Sequence, residues 1–153
     1  MNLSFVLILQ LASTLFMVGL IWFVQVVHYP LFDGVGQNAF QAYALNHNRL
    51  TSWVVMPPMF IELATSMALV WFRPAGVRLR QVIIGLILLT VIWLSTFLVQ
   101  VPQHTVLLRG YDADAHQVLV ATNWIRTIAW SCRGLLVFWM MTRFIKTLRP
   151  PAY

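Results

Sequence analysis

Four histidines, His28, His47, His104 and His116, sit just outside the ends of hydrophobic runs. Imidazole exchanges protons near neutral pH and also ligates copper, zinc or haem iron, so these four are the first residues with possible chemistry. A second set follows helical spacing. Asn123, Arg126, Trp130 and Arg133 fall at i, i+3, i+7 and i+10, one face of a helix, with Asn46, Arg49 and Trp53 as a shorter counterpart. An Asn beside an Arg on one stripe can hold a carbonyl, carboxylate or phosphate by directed hydrogen bonds. An Arg near a helix end can equally reach lipid headgroups, and Trp favours the membrane interface. For Arg49 that second reading is preferred. For Arg126, the presence of Arg133 on the same face points to a polar interior.

Glu62 and Arg133 lie near the middle of apolar runs, where an ionisable group costs roughly 2.5 to 3.5 kcal/mol and needs a partner or a water-filled cavity. Counted from Arg73 and Arg143 they are almost level, eleven and ten residues in, which suggests an ion pair. Counted from Arg49 and Arg126 they are thirteen and seven residues down, which argues for separate depths. Both readings stay open. Pro57 and Pro58, just before Glu62, remove two helical donors and predict a kink that frees carbonyls near Trp53 and Val54. In an ideal helix Glu62 and Arg49 occupy different faces, so a single site holding both would need that kink.

These residues are positioned by an almost wholly apolar chain. Of its 153 residues 60% are hydrophobic and 9% charged, against about 25% charged in soluble domains. Four runs are long enough to cross a bilayer as helices: Leu3 to Val27, Leu50 to Phe72, Gln81 to Val101 and Val118 to Met141. No strand-like alternation appears, so the expected fold is all-α, a bundle of four transmembrane helices in a single membrane domain. The first run lacks the basic flank and small-residue cleavage site of a signal peptide and is expected to stay as a span. The single cysteine, Cys132, excludes an intramolecular disulfide.

Charge sorts the two ends. Arg73, Arg78 and Arg80, with Arg143, Lys146 and Arg149, place six of ten basic residues on one side, which the positive-inside rule makes cytoplasmic. Asp33, Asp112, Asp114 and all four histidines fall on the other. The expectation is an inner-membrane protein with both termini cytoplasmic and the histidine end outside. The net charge of +6 then reflects topology and anionic lipid contact, and nucleic acid is not expected as a partner. Ala39 to Arg49 contains enough helix formers to extend the second helix beyond the membrane, and Tyr29-Pro30 ends the first span.

The two hairpins, about 1–73 and 81–145, resemble each other. Gln25-Val-Val-His28 and later Asn46-His-Asn-Arg49 with Trp53 correspond to Gln100-Val-Pro-Gln-His104 and later Asn123-Trp-Ile-Arg126 with Trp130. A parallel repeat about an axis along the membrane normal is expected, with His28 and His104 as equivalent positions.

Val101-Pro102-x-His104, Leu107-Leu108 and Asn123-x-x-Arg126-Thr127 resemble the anthrone oxygenase-like family of small four-helix membrane proteins. The likeness covers about the C-terminal half and departs at His104, where that family usually has Asn. His28-Tyr29-Pro30-Leu31 is also similar to a stretch in bacterial inner-membrane proteins of unassigned function. The family resemblance implies oxidation of a polycyclic phenolic compound, without a required cofactor.

The function expected from these residues is a small-molecule site in the outer half of the bundle. It would be an oxidoreductase site for a lipophilic aromatic or quinone-like compound. His28 or His104 would act as general base, Arg126 would stabilise an enolate or phenolate, and Glu62 would join them. Gln25, Asn46, Arg49, Gln100, Asn123, Trp130 and Arg133 would line the site. No cofactor is favoured. One alternative is a copper, zinc or haem site on His28, His47, His104 and His116. Another is a non-catalytic subunit or assembly factor of a membrane complex. The bilayer is the expected partner, and a homo-oligomer could enclose a path that one copy cannot.

Overall fold

The computed structural model describes residues 2–148 and contains helices only among them; Arg149 of the basic tail lies outside the described residues. Helix α1 (Leu3–Phe23) is capped by Asn2, whose side-chain oxygen accepts from the backbone N–H groups of Ser4 and Phe5 at 3.1 and 3.3 Å. It runs into a π turn, π1 (Val24–His28), and a 3-10 turn (Pro30–Gly34). Helix α2 (Gln37–Trp71) begins well before its apolar run, as the helix formers after Ala39 predict. It continues as one helix through Pro57 and Pro58. Helix α3 (Leu79–Ser95) passes through a second π turn, π2 (Thr96–Gln100), into α4 (Val101–Leu107). Helix α5 (Ala113–Leu148) is the last element among the described residues, with Asp112 accepting from the Ala115 N–H at 2.8 Å.

Each π turn is followed, after one residue, by a proline, and the reason is local. The N–H of Tyr29 reaches back five residues to the Val24 carbonyl, and that of Val101 to the Thr96 carbonyl. Pro30 and Pro102 follow, each lacking a donor and unable to tolerate the normal close approach of the preceding turn. Widening the helix by one residue relieves that clash.

Four helical segments, 3–34, 37–71, 79–107 and 113–148, are long and apolar enough to cross a membrane, each holding an 18-residue stretch whose mean hydropathy is 2.2, 1.5, 2.7 and 1.2 respectively. Their packing is ordered in a ring: α1 lies against α2 and α5, and α3 lies against α5 and, more loosely, α2. Helices α2 and α5 are therefore diagonal. The distribution of side chains is inverted relative to a water-soluble bundle. Trp53, Leu98 and Leu135 are among the exposed residues, while Gln10, Thr14, Gln25, Glu62, Asn123 and Arg133 are buried. Interhelical hydrogen bonds inside and apolar side chains outside are the pattern a lipid-facing bundle requires.

Two apolar clusters divide the interior. One, around Phe32, Phe40, Leu119 and Trp130, lies toward the histidine end; the other, around Leu7, Leu69, Met140 and Phe144, lies toward the opposite end. The α2–α3 turn at that opposite end requires Gly76. Its φ is +81°, and a Cβ there would stand 2.9 Å from the Arg143 carbonyl oxygen.

Candidate functional site

Between the two apolar clusters the bundle carries one charged layer. Arg133 Nε donates to Glu62 Oε1 at 3.0 Å, both side chains fully buried, so the level count from the basic ends describes the pair. Glu62 Oε1 also accepts from the Thr14 hydroxyl at 2.7 Å, and Oε2 from the Trp130 indole at 2.9 Å. Arg133 spends its remaining nitrogens on the Gly85 carbonyl at 2.6 Å and on Ser66 Oγ at 2.7 Å; Ser66 in turn donates to the Glu62 carbonyl. Gln10 donates to Ser66 from α1 at 3.1 Å. The layer thus ties all four long segments together, and it joins the diagonal helices α2 and α5 by side chains alone. Gly85 permits this: a Cβ there would lie 3.2 Å from Arg133 Nη1.

A second polar layer lies toward the histidine end. The Gln25 amide donates to the Val120 carbonyl at 3.1 Å, and its oxygen accepts from Asn123 at 2.8 Å and from Thr127 at 3.4 Å. Asn123 Oδ1 then accepts from Arg126 Nε at 3.0 Å, and Arg126 Nη1 donates to Thr96 at 3.3 Å. Gln100 is buried and donates to Thr122 at 2.9 Å. Arg126 also sits 5.8 Å from the centroid of the Trp130 ring, within cation–π range. It has no carboxylate partner among the described residues.

Above this layer the four histidines share one end, as the topology predicts. His28 Nε2 and His47 Nδ1 share a hydrogen bond of 2.8 Å, and Thr51 lies 3.2 Å from the same His47 nitrogen. Tyr29 is buried with its hydroxyl 3.0 Å from His104 Nε2. The His104 ring is stacked on that of His47, with centroids 5.4 Å apart. His116 Nε2 faces the Tyr29 carbonyl at 2.8 Å. A carbonyl only accepts, so this nitrogen carries the proton and Nδ1 is left to accept from Tyr111 at 3.2 Å. Phe32 packs among these rings, stacked on His116 and edge-on to His28 and His47.

Tyr29, His47, Thr51 and His104 border a cleft of about 150 Å³, the size that holds one benzene ring. It opens where packing is loosest, between α2 and the α3–π2–α4 segment. Tyr29, His47, Thr51, Gln100, His104 and Arg126 form its polar lining; Val55, Met59, Trp93 and Phe97 form its apolar lining. A smaller void of about 30 Å³ continues inward past Tyr29, His47, Thr51, Arg126 and Trp130.

The structure sorts the expected site residues into five positions. His104, Gln100 and Arg126 border the cleft. His28 stands behind His47, in a groove with Leu20, Val24 and Leu50, so the imidazole pair facing the cleft is His47 and His104. Gln25 and Asn123 hold Arg126 from beneath, while Glu62 and Arg133 belong to the deeper layer, with Trp130 between the two. Asn46 and Arg49 are exposed and bond each other at 3.3 Å outside the cleft, and Trp53 is exposed. Sequence reasoning passed over Tyr29, Thr51, Thr96 and Trp93. For Thr51 a signal existed: His47, Thr51 and Val55 repeat every four residues, one side of a helix. Among the described residues no group of three or more His, Cys, Asp or Glu side chains is placed to hold a metal ion.

The chain matches no protein-family model, no curated protein and no solved structure.

Proposed function

We propose that the cleft binds a lipophilic aromatic compound bearing an ionisable hydroxyl or carbonyl group, such as a phenol, enol or quinone, and acts on it as an oxidoreductase. The observation that carries this reading is Arg126, a guanidinium without a carboxylate partner among the described residues, at the edge of a ring-sized cleft beside two imidazoles. An unpaired cation in an apolar setting favours an anionic occupant, and a phenolate or enolate oxygen supplies the charge.

The imidazole chain supplies the base. When His47 Nδ1 carries its proton and donates to His28 Nε2, His47 Nε2 is unprotonated and accepts a proton from the bound hydroxyl. The Nδ1 proton then passes to His28, moving charge away from the cleft. When the Tyr29 hydroxyl, 3.0 Å from His104 Nε2, is the donor, that nitrogen accepts and His104 is neutral beside the developing anion. The electron-rich anion is the species oxidised, and dioxygen is the oxidant, accepting its electrons together with the released protons. Glu62 and Arg133 act here as the fixed floor of the site.

In the cell this reading places the protein in the inner membrane, with the Arg73–Arg80 loop and both termini cytoplasmic and the cleft toward the outer side. The two π turns before Pro30 and Pro102 support descent of the two hairpins from one ancestral hairpin.

The test is equilibrium dialysis of 2-naphthol against the purified protein in nanodiscs, followed by oxygen uptake with a polycyclic phenol. Arg126→Gln should weaken binding at least tenfold, and His47→Phe should abolish uptake while leaving binding within about threefold. Binding that is indifferent to Arg126→Gln would falsify the proposal.

A further inference from the structure

The cleft does not end at its polar lining. Trp93 and Phe97 are shared with a second groove, lined by Leu63, Leu86, Thr90 and Leu94, that continues between α2 and α3 toward the opposite end of the bundle. Along α2 the cleft-facing residues change from His47 and Thr51 to Val55 and Met59; along the facing segment they change from His104 and Gln100 to Phe97 and Trp93. Polarity therefore falls in one direction on both walls. From Gln100 to Leu86 the helix descends about 20 Å at 1.5 Å per residue.

The mouth of the cleft also faces sideways. Met56, Phe97 and Val101 rim it and are 38, 54 and 46% exposed, on the same apolar girdle as Trp53 and Leu98. A compound dissolved in the hydrocarbon meets this opening without first crossing into water.

We infer that the physiological ligand is a single-headed amphiphile, an aromatic head with an aliphatic or isoprenoid tail. It enters laterally between α2 and α3 with its anionic or phenolic oxygen at Arg126 and its tail in the Trp93–Leu86 groove. This inference rests on the proposed head site and names its ligand class. The continuity of groove and cleft, the shared polarity gradient and the guanidinium of Arg126, with no carboxylate partner among the described residues, at the cleft's polar end select one orientation. A tail-first pose would put hydrocarbon on Arg126 and a polar head on Leu86 and Leu94.

The experiment compares 4-methylphenol with 4-dodecylphenol, binding each to the intact protein in phosphatidylcholine nanodiscs. The background partition of each probe is measured in empty discs and subtracted. Thr90→Trp fills the groove from an exposed position outside the cleft. It should weaken dodecylphenol at least tenfold and leave methylphenol within about twofold, whereas Arg126→Gln should weaken both. Loss of response to Thr90→Trp, with Arg126→Gln still effective, overturns the tail path and leaves the head site standing. Indifference of both probes to Arg126→Gln overturns both. Leu94→Trp provides a second block of the groove, and unchanged dodecylphenol affinity in both variants means that only bulk lipid occupies it.

Discussion

The Trp130 indole N–H donates to Glu62 Oε2 at 2.9 Å, joining α5 to its diagonal neighbour α2. The other side of this relationship is the Arg126 guanidinium, 5.8 Å from the same ring. Trp130 is thus the part shared by the buried ion pair and the cleft. It transmits the position of one to the other by packing, with no polar group of its own in the cleft. A fully satisfied charged layer is well suited to that task, because its geometry is fixed from every side.

Removing one member of the ion pair leaves a buried charge unmatched. Glu62→Ala or Arg133→Ala should each destabilise the bundle by about 3 to 5 kcal/mol, whereas Glu62→Leu combined with Arg133→Met should cost much less than the two single losses added together. Reversible unfolding in mixed micelles measures all of these. Additive losses would mean that the two side chains do not act as a pair.

Trp130→Phe keeps a ring under Arg126 and deletes only the N–H. One carboxylate oxygen of Glu62 then loses its partner, for an expected cost of about 1 to 3 kcal/mol. Affinity for 2-naphthol should change little, because the cation still rests on an aromatic face. A large drop in affinity with no change in stability would reverse the roles assigned to the two layers.

Gly85→Ala places a methyl group 3.2 Å from Arg133 Nη1, on the carbonyl-bearing residue that the guanidinium uses. Either α3 or the arginine must shift, and a loss of about 1 to 3 kcal/mol is expected for such overpacking. Gly19→Ala is the control, since nothing lies within 4 Å of a Cβ there. Equal stability of the two variants would show that α3 can yield without cost.

His28 stands outside the cleft, so its role separates relay from contact. His28→Gln retains a hydrogen-bonding group for His47 but cannot carry the proton onward. Turnover of the phenolic substrate should fall by about 100-fold with KM unchanged. Wild-type turnover in this variant would remove His28 from the relay and leave His47 exchanging its proton directly with solvent.

How much was written in the chain alone follows from what each property depends on. Hydrophobic run length determined the four spanning-length helices, since the requirement to cross hydrocarbon acts on consecutive residues. Position within those runs placed the four histidines at one end, because rise along a helix is nearly constant, but it left the depths of Glu62 and Arg133 open until packing brought them together as a pair. Rotation about each helix axis was not legible. It is set by packing against neighbours, and each π turn adds a residue that turns everything beyond it by roughly a quarter turn, about 100°. Matching His28 to His104 by motif gave each a place in its own hairpin but not the neighbours it meets, and the tertiary structure puts His47 beside His104. The same holds for Thr96 and Gly85, ordinary residues in an apolar run that become polar partners only because α5 brings Arg126 and Arg133 against them.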